Sequence, residues 1–305
     1  MQQPTTKRFH LGVIGAGRVG AVLAAGWRTA GHDVAAVAGE SPASRTRIET
    51  LLPGVDITDP REVVRRADLV LLAVPDDALS DLITELVAAQ VIRPDHVVVH
   101  TSGRHGTGVL EPAARLGADV IALHPAMTFT GTHVDLDRLA GCTFALTAAE
   151  GTARSVGAGL VADLGGRVTL VPEEQRTLYH AALAHGANHV ATLVSQAMDL
   201  LRQAGVTDPS ATLRPLLSAA VDNALAYGDA ALTGPVVRGD LATVAAHLDA
   251  LRAAPPATLD SYLAMARATS ERAVADGRLA RPRASDLAEV LDAAVWDATA
   301  AAMTA

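Results

Sequence analysis

Through the first 172 residues of the chain, short apolar runs alternate with stretches whose apolar positions recur at helical spacing. Phe9 to Ile14 predicts a buried strand, Ala21 to Ala30 a helix stopped at Gly31, and His32 to Ala38 a second strand. A short strand ending in Asp56-Ile57, a helix from Pro60 to Ala67 and a fully apolar strand from Asp68 to Val74 follow. The pattern then predicts a helix over 77–89, a strand over 95–100, a helix over 108–116 and a strand over 119–123. Gly141 to Leu146 and Gly166 to Leu170 read as strands on either side of a helix from Ala149 to Leu164. After Val171-Pro172 only the helical period remains, over 173–204, 209–227, 240–250, 256–277 and 284–303. This change of period predicts an α/β domain over residues 1–172, a doubly wound sheet, followed by an all-α domain over 173–305. The first helix of the second half would be about 45 Å long at 1.5 Å per residue. It has no formally charged residue between Arg176 and Asp199, but His, Asn, Ser and Gln interrupt it. It therefore reads as a buried helix needing partners on most of its sides, not as a membrane span.

The first strand and helix are joined by Gly15, Gly17 and Gly20 in the spacing G-x-G-x-x-G. In a strand–turn–helix setting this is the Rossmann dinucleotide fingerprint. Gly15 allows the tight turn, Gly17 lets a pyrophosphate approach the backbone, and Gly20 lets the helix pack on the strand. Arg18 and Val19, between the glycines, are expected to border the cofactor, whose pyrophosphate would sit on the N-terminus of the following helix. After the second strand, an NAD enzyme would place Asp or Glu to accept the ribose 2′-hydroxyl. Here the strand ends at Ala38-Gly39. Glu40 competes for that role, but Ser41, Ser44, Arg45 and Arg47 together suit a 2′-phosphate, so NADP is expected ahead of NAD. Arg45 and Arg47 on the solvated face of a helix is the simpler alternative. In a doubly wound sheet, ligands lie beyond the carboxyl ends of the strands. That places Val74-Pro75-Asp76 beside the cofactor, Thr101-Ser102-Gly103 near the nicotinamide, and His124 as a candidate for polar substrate contacts.

The composition narrows the function classes. A net charge of −8, with no block of like charges, argues against a nucleic-acid partner and for small-molecule chemistry. The single cysteine, Cys142, has no intramolecular disulfide partner, and the N-terminal MQQPTTKRFH lacks the apolar core of a signal peptide. A cytoplasmic protein without a membrane anchor is the expectation. The only lysine is Lys7, so no lysine in the body of the chain can act in catalysis.

A fingerprint half followed by a long apolar helix and a helical half resembles the 6-phosphogluconate dehydrogenase C-terminal-like superfamily, which includes ketopantoate reductase and pyrroline-5-carboxylate reductase. The closer resemblance is to Rossmann-like plus DUF2520 proteins. It is carried by Gly15 to Gly20, His100-Thr101-Ser102-Gly103, His124 to Phe129, Tyr179-His180-Ala181-Ala182 with Asn188, and Ala231 to Asp240. The resemblance implies an NADP-dependent reductase acting on a small carboxylated substrate, with its active site between the domains and a homodimer built from the C-terminal helices. Related enzymes use a helix lysine paired with an asparagine one turn on; this chain has Asn188 but no such lysine. His180 is the candidate replacement, about 80° from Asn188 on an ideal helix at ~100° per residue. His185 and His189 have i, i+4 metal-ligand spacing, but Gly186 follows where a zincin places its glutamate, so no metal site is expected. Arg238 is a candidate clamp for a substrate carboxylate, while Asp240 followed by Thr243 reads as a helix N-cap. The substrate expected from the superfamily is a 2-oxo acid such as ketopantoate, with a cyclic imine acid second. A protein that binds NADP(H) as a sensor or scaffold without turnover is the alternative.

Overall fold

The computed structural model describes residues 7–304 apart from Glu40, and side chains through residue 293. The chain forms two compact units, residues 1–186 and 187–305. In the first, β1 (His10–Ile14), α1 (Arg18–Thr29), β2 (Asp33–Ala38), α2 (Pro42–Leu51), α3 (Pro60–Arg66), β3 (Leu69–Leu72), α4 (Leu79–Ala88) and β4 (Val97–His100) come in turn. A 3₁₀ turn (Thr107–Leu110) and α5 (Glu111–Ala114) stand where one helix over 108–116 was expected, and Pro112 sits in the first turn of the α-helical part. β5 (Asp119–Pro125), α6 (Val134–Leu139), β6 (Thr143–Ala148), α7 (Thr152–Asp163), β7 (Arg167–Leu170) and α8 (Arg176–Leu183) complete the unit.

The seven strands run in the order β2-β1-β3-β4-β5-β6-β7. All neighbours are parallel except β5 and β6. β6 is reversed, and its connection from β5 holds only the short helix α6. The expected strand at Asp56-Ile57 is a single parallel bridge between Val37 and Ile57. Alternate strand positions feed two cores. Leu11, Val13, Leu69, Leu71, Val97 and Val99 face α1 and α7, while Ile14, Val70, Leu72 and Val98 face α3 and α4. The burial of Leu11–Ile14, of β3 and of Val97–Val99 is why those runs are continuously apolar rather than alternating.

The expected helix over 173–204 is not one helix. A 3₁₀ turn (Glu173–Gln175) leads into α8, a π-helical turn occupies Ala184–Asn188, and α9 (His189–Gln203) follows. The π-turn winds with i→i+5 hydrogen bonds, so the ideal-helix phase between His180 and Asn188 does not hold. Nor is α9 buried: none of its residues is. In the second unit α9 is followed by α10 (Pro209–Tyr227), α11 (Pro235–Arg238), α12 (Leu241–Leu251), α13 (Pro256–Ala275) and α14 (Arg281–Thr304). Val237, Val244, Leu248, Leu263 and Leu287 centre its core. Asp240 caps α12, accepting from the Thr243 backbone N–H at 3.1 Å and from its hydroxyl at 2.7 Å. No described helix is long and apolar enough to cross a membrane.

Candidate active site

The order of the sheet reverses between β1 and β3, and the site lies past the carboxyl ends of those strands and of β4 and β5. Its floor is the glycine turn. Gly15 has φ +95°, and a Cβ there would stand 2.5 Å from the Ala73 carbonyl oxygen; a Cβ on Gly20 would stand 2.2 Å from the Gly15 carbonyl. Protein packing therefore accounts for both glycines. Gly17 is different, since a Cβ on it would meet no protein atom within 4 Å. It is also the N-cap of α1 and offers no side-chain hydrogen bond. An uncapped helix start beneath open space, with donors and a positive dipole end, suits the anionic pyrophosphate of a dinucleotide.

The cleft here is about 450 Å³. Gly17, Arg18 and Val19 line it from α1, Ala73 to Asp76 from the end of β3, Thr101 to Gly103 from the end of β4, and His124 and His180 from β5 and α8. Of the residues expected to bind the adenine end, Ser41 caps α2, accepting from the Ser44 N–H at 3.1 Å, and its hydroxyl also donates to Ser44 Oγ. Gly39 packs between Ala16 and the Ser44 side chain, so the start of α2 adjoins the glycine turn. Arg45 is exposed, whereas Arg47 is half-buried and lies with Arg18 against Gly131. Glu40 lies outside the described residues.

At the other end, two imidazoles close over Gly103. A Cβ there would sit 2.6 Å from His180 Cδ2 and 3.0 Å from His124 Nε2, so this turn requires glycine on steric grounds. The His124 and His180 rings meet edge to face at 6.0 Å. Nδ1 of His124 is 3.0 Å from the Tyr179 hydroxyl. Burial, then the neighbouring His180, then Arg176, push the His124 pKa down to about 4. Burial likewise pushes the Tyr179 phenol up. His100 is fully buried behind the turn. Its Nδ1 accepts the Ser102 N–H, which leaves Nε2–H to donate to the Gly106 carbonyl at 2.8 Å, and burial holds its pKa at about 4. Ser102 lines the cleft, and its hydroxyl oxygen already accepts the His105 N–H.

Two residues that no sequence pattern singled out hold this end together. Arg176 is fully buried at the start of α8. It donates to Thr147 Oγ1 and to the carbonyls of Ser102, Ala122 and Ala145, joining the β4 turn, β5 and β6. The Glu173 carboxylate accepts the backbone N–H groups of Thr107 and Gly108 at 2.7 and 3.0 Å, capping the 3₁₀ turn after β4. An arginine between Glu-Glu-Gln and Thr-Leu-Tyr looks exposed in sequence, and only the tertiary fold turns it inward. Tyr179 was visible as part of a motif but without a role. Asn188 and Arg238 fall in the second unit, and each is exposed there. Among the described residues no group of three metal-ligating side chains converges.

A mostly parallel sheet with a glycine turn at its switch point and a polar cleft above it defines a protein with a Rossmann-type nucleotide-binding unit. Residues 1–125 match the family model described as Rossmann-like domain, and residues 142–269 match Domain of unknown function (DUF2520). The chain is thus a Rossmann-like plus DUF2520 protein. No curated protein matches it significantly. Among solved structures, a Bacteroides fragilis protein provisionally assigned as an NADP oxidoreductase is similar, with 22% identity and a TM-score of 0.74 over 87% of this chain and 98% of that one. The imine reductase from Myxococcus stipitatus in complex with NADP⁺ has 18% identity and a TM-score of 0.60, covering 94% of each chain. Pyrroline carboxylate reductase from Plasmodium falciparum, with NADP bound, has 13% identity and a TM-score of 0.57 over 90% of this chain and 98% of that one. At these identities the likeness is one of fold.

Proposed function

We propose that the protein is an NADP-dependent reductase of a small carboxylated substrate bearing a C=O or C=N group. The observation that carries this reading is the meeting of an open glycine, Gly17, at an uncapped helix start with two imidazoles, His124 and His180, in one cleft. NADPH, when bound, supplies the hydride. Gly17, Arg18 and Val19 would hold its pyrophosphate, Val74, Pro75 and Thr101 would border it, and Ser41, Ser44 and Arg45 would receive its 2′-phosphate, with Arg47 beside them. His180 would deliver the proton to the developing alkoxide or amine, a contribution typically worth ~10² to 10⁴ in rate. His124 and Ser102 would contact the substrate.

The substrate classes are a 2-oxo acid such as ketopantoate and a cyclic imine acid. The second gains support from structural neighbours that reduce imines and pyrroline carboxylate. A second copy of the chain, packed through the exposed helices of the second unit, is the proposed partner. The testing experiment is a screen of NADPH oxidation against both substrate classes, with NADPH and NADH titrations alongside. A reductase oxidises NADPH with at least one class. Tight NADPH binding with no turnover in either class would leave the sensor reading standing instead. Equal affinity for NADH, unchanged in Arg45→Ala, would overturn the choice of NADP.

A further inference from the structure

His124 stands between the cleft and Tyr179: Nε2 faces the glycine of the β4 turn, and Nδ1 meets the phenol at 3.0 Å. Either partner of this hydrogen bond has a hydrogen to give, but the two arrangements are unequal. A phenol, with an ordinary pKa near ~10, is a far stronger acid than a neutral imidazole N–H, and an imidazole nitrogen is a far stronger base than a phenol oxygen. The O–H therefore donates to Nδ1. We infer that Tyr179 is a positioning residue that fixes the His124 tautomer, so that His124 presents Nε2–H to the cleft as a neutral hydrogen-bond donor to a substrate carbonyl or carboxylate oxygen.

The surroundings agree. The ionisable groups facing His124 are Arg176, Tyr179 and His180 on α8, His100 at the end of β4, and Asp76 after β3. Of these only Asp76 favours a second proton on the ring, and Asp76 has Arg104 at 3.6 Å. Burial, then His180 and Arg176, keep His124 neutral well below physiological pH. A neutral imidazole has one hydrogen, and the bond made by the other nitrogen decides which nitrogen carries it. The partition of labour follows: His124 donates a hydrogen bond without changing charge, while His180 is left to move the proton. The inference rests on the reductase reading for its substrate, but the tautomer itself does not depend on it.

Nitrogen NMR of the 15N-histidine-labelled full chain, without cofactor or substrate, tests it. At neutral pH the His124 signals, assigned by their loss in His124→Gln, should show Nε2 protonated and Nδ1 bare. In Tyr179→Phe the pattern should move toward a mixture of tautomers, with NADPH affinity unchanged as the check on folding. With an active substrate, Tyr179→Phe should raise KM roughly threefold to tenfold, with a smaller fall in kcat. A wild-type spectrum with Nδ1 protonated overturns the inference, even if Tyr179→Phe fails to fold. An unaltered tautomer in a folded Tyr179→Phe overturns it equally. Absence of NADPH turnover bears on the proposed reaction and leaves the tautomer assignment to the spectrum.

Discussion

Arg176 donates to the Ala122 carbonyl at 2.7 Å from a fully buried position, linking the start of α8 to the middle of β5. Its other partners are two further carbonyls and one hydroxyl, so its charge is met by oxygen dipoles and not, within these bonds, by a carboxylate. Removing the guanidinium leaves several buried acceptors without donors. Arg176→Ala should lower unfolding stability by about 3–5 kcal/mol, the range for breaking a buried charged network. Urea denaturation checks this, and a loss below about 1 kcal/mol would show that water replaces the side chain.

The glycine turn separates folding from binding. Gly15→Ala forces a left-handed φ and a clash with the Ala73 carbonyl, and should cost several kcal/mol of stability. Gly17→Ala meets nothing in the protein and should melt like the wild type, while losing at least ~10-fold in NADPH affinity. Thermal melts and NADPH fluorescence titrations of the two variants give the comparison. If Gly17→Ala binds NADPH normally, the pyrophosphate does not lie on this turn.

How far the sequence carried the structure follows from which forces act locally. The buried strands and the glycine turn were legible because continuous apolar runs and G-x-G-x-x-G spacing are local signatures, and the cleft residues Thr101, Ser102 and His124 followed from the strand-end rule, whereas His180 came only from the family resemblance. The break between α8 and α9 was not. Ala-His-Gly-Ala-Asn keeps a helical composition, and Gly186 only weakens it, so the extra residue of the π-turn is a tertiary choice. The inward turn of Arg176 was invisible for the same reason, since its partners in β5, β6 and the turn after β4 lie 29 to 74 residues away.

Acid should destabilise the protein through its buried histidines. His100 and His124 have native pKa values of about 4, and each would take up its proton near ~6.5 when unfolded. Between those values the unfolded chain binds more protons, so stability rises with pH there and is lost as pH falls from about 6.5 to about 4. Each group contributes on the order of 3 kcal/mol across the full window. Urea midpoints measured across that window should fall with acid, less steeply in His124→Gln. A flat profile would mean that these imidazoles accept protons in the native state.

The second unit carries more exposed apolar surface than its own core needs. α9 buries none of its residues and α10 buries only Pro209, while Leu216, Leu225 and Tyr227 are 65%, 83% and 68% exposed. Such a face is the signature of an interface, and closed symmetric pairing of identical chains is the commonest way to cover one. Sedimentation at micromolar concentration should give about twice 31.3 kDa, and Leu225→Glu should shift the protein toward the monomer. A wild-type monomer that stays soluble there would rule the pairing out.

The proton donor is the sharpest test of the proposed chemistry. His124 is held neutral by burial and by its neighbours, so it is a poor source of a proton at neutral pH. His180 lines the same cleft from α8 and is only half-buried, so its ring remains in contact with solvent. Once a substrate is known, His180→Gln should lower kcat at least tenfold with NADPH affinity nearly unchanged, as expected for the loss of a general acid. His185→Gln, a change outside the cleft, is the control. The same variant should also raise the His124 pKa, because His180 is the largest contributor after burial to keeping it low. If His180→Gln keeps full activity, or if both variants lose it equally, the proton comes from water or from the substrate, and His180 serves only to shape the cleft over Gly103.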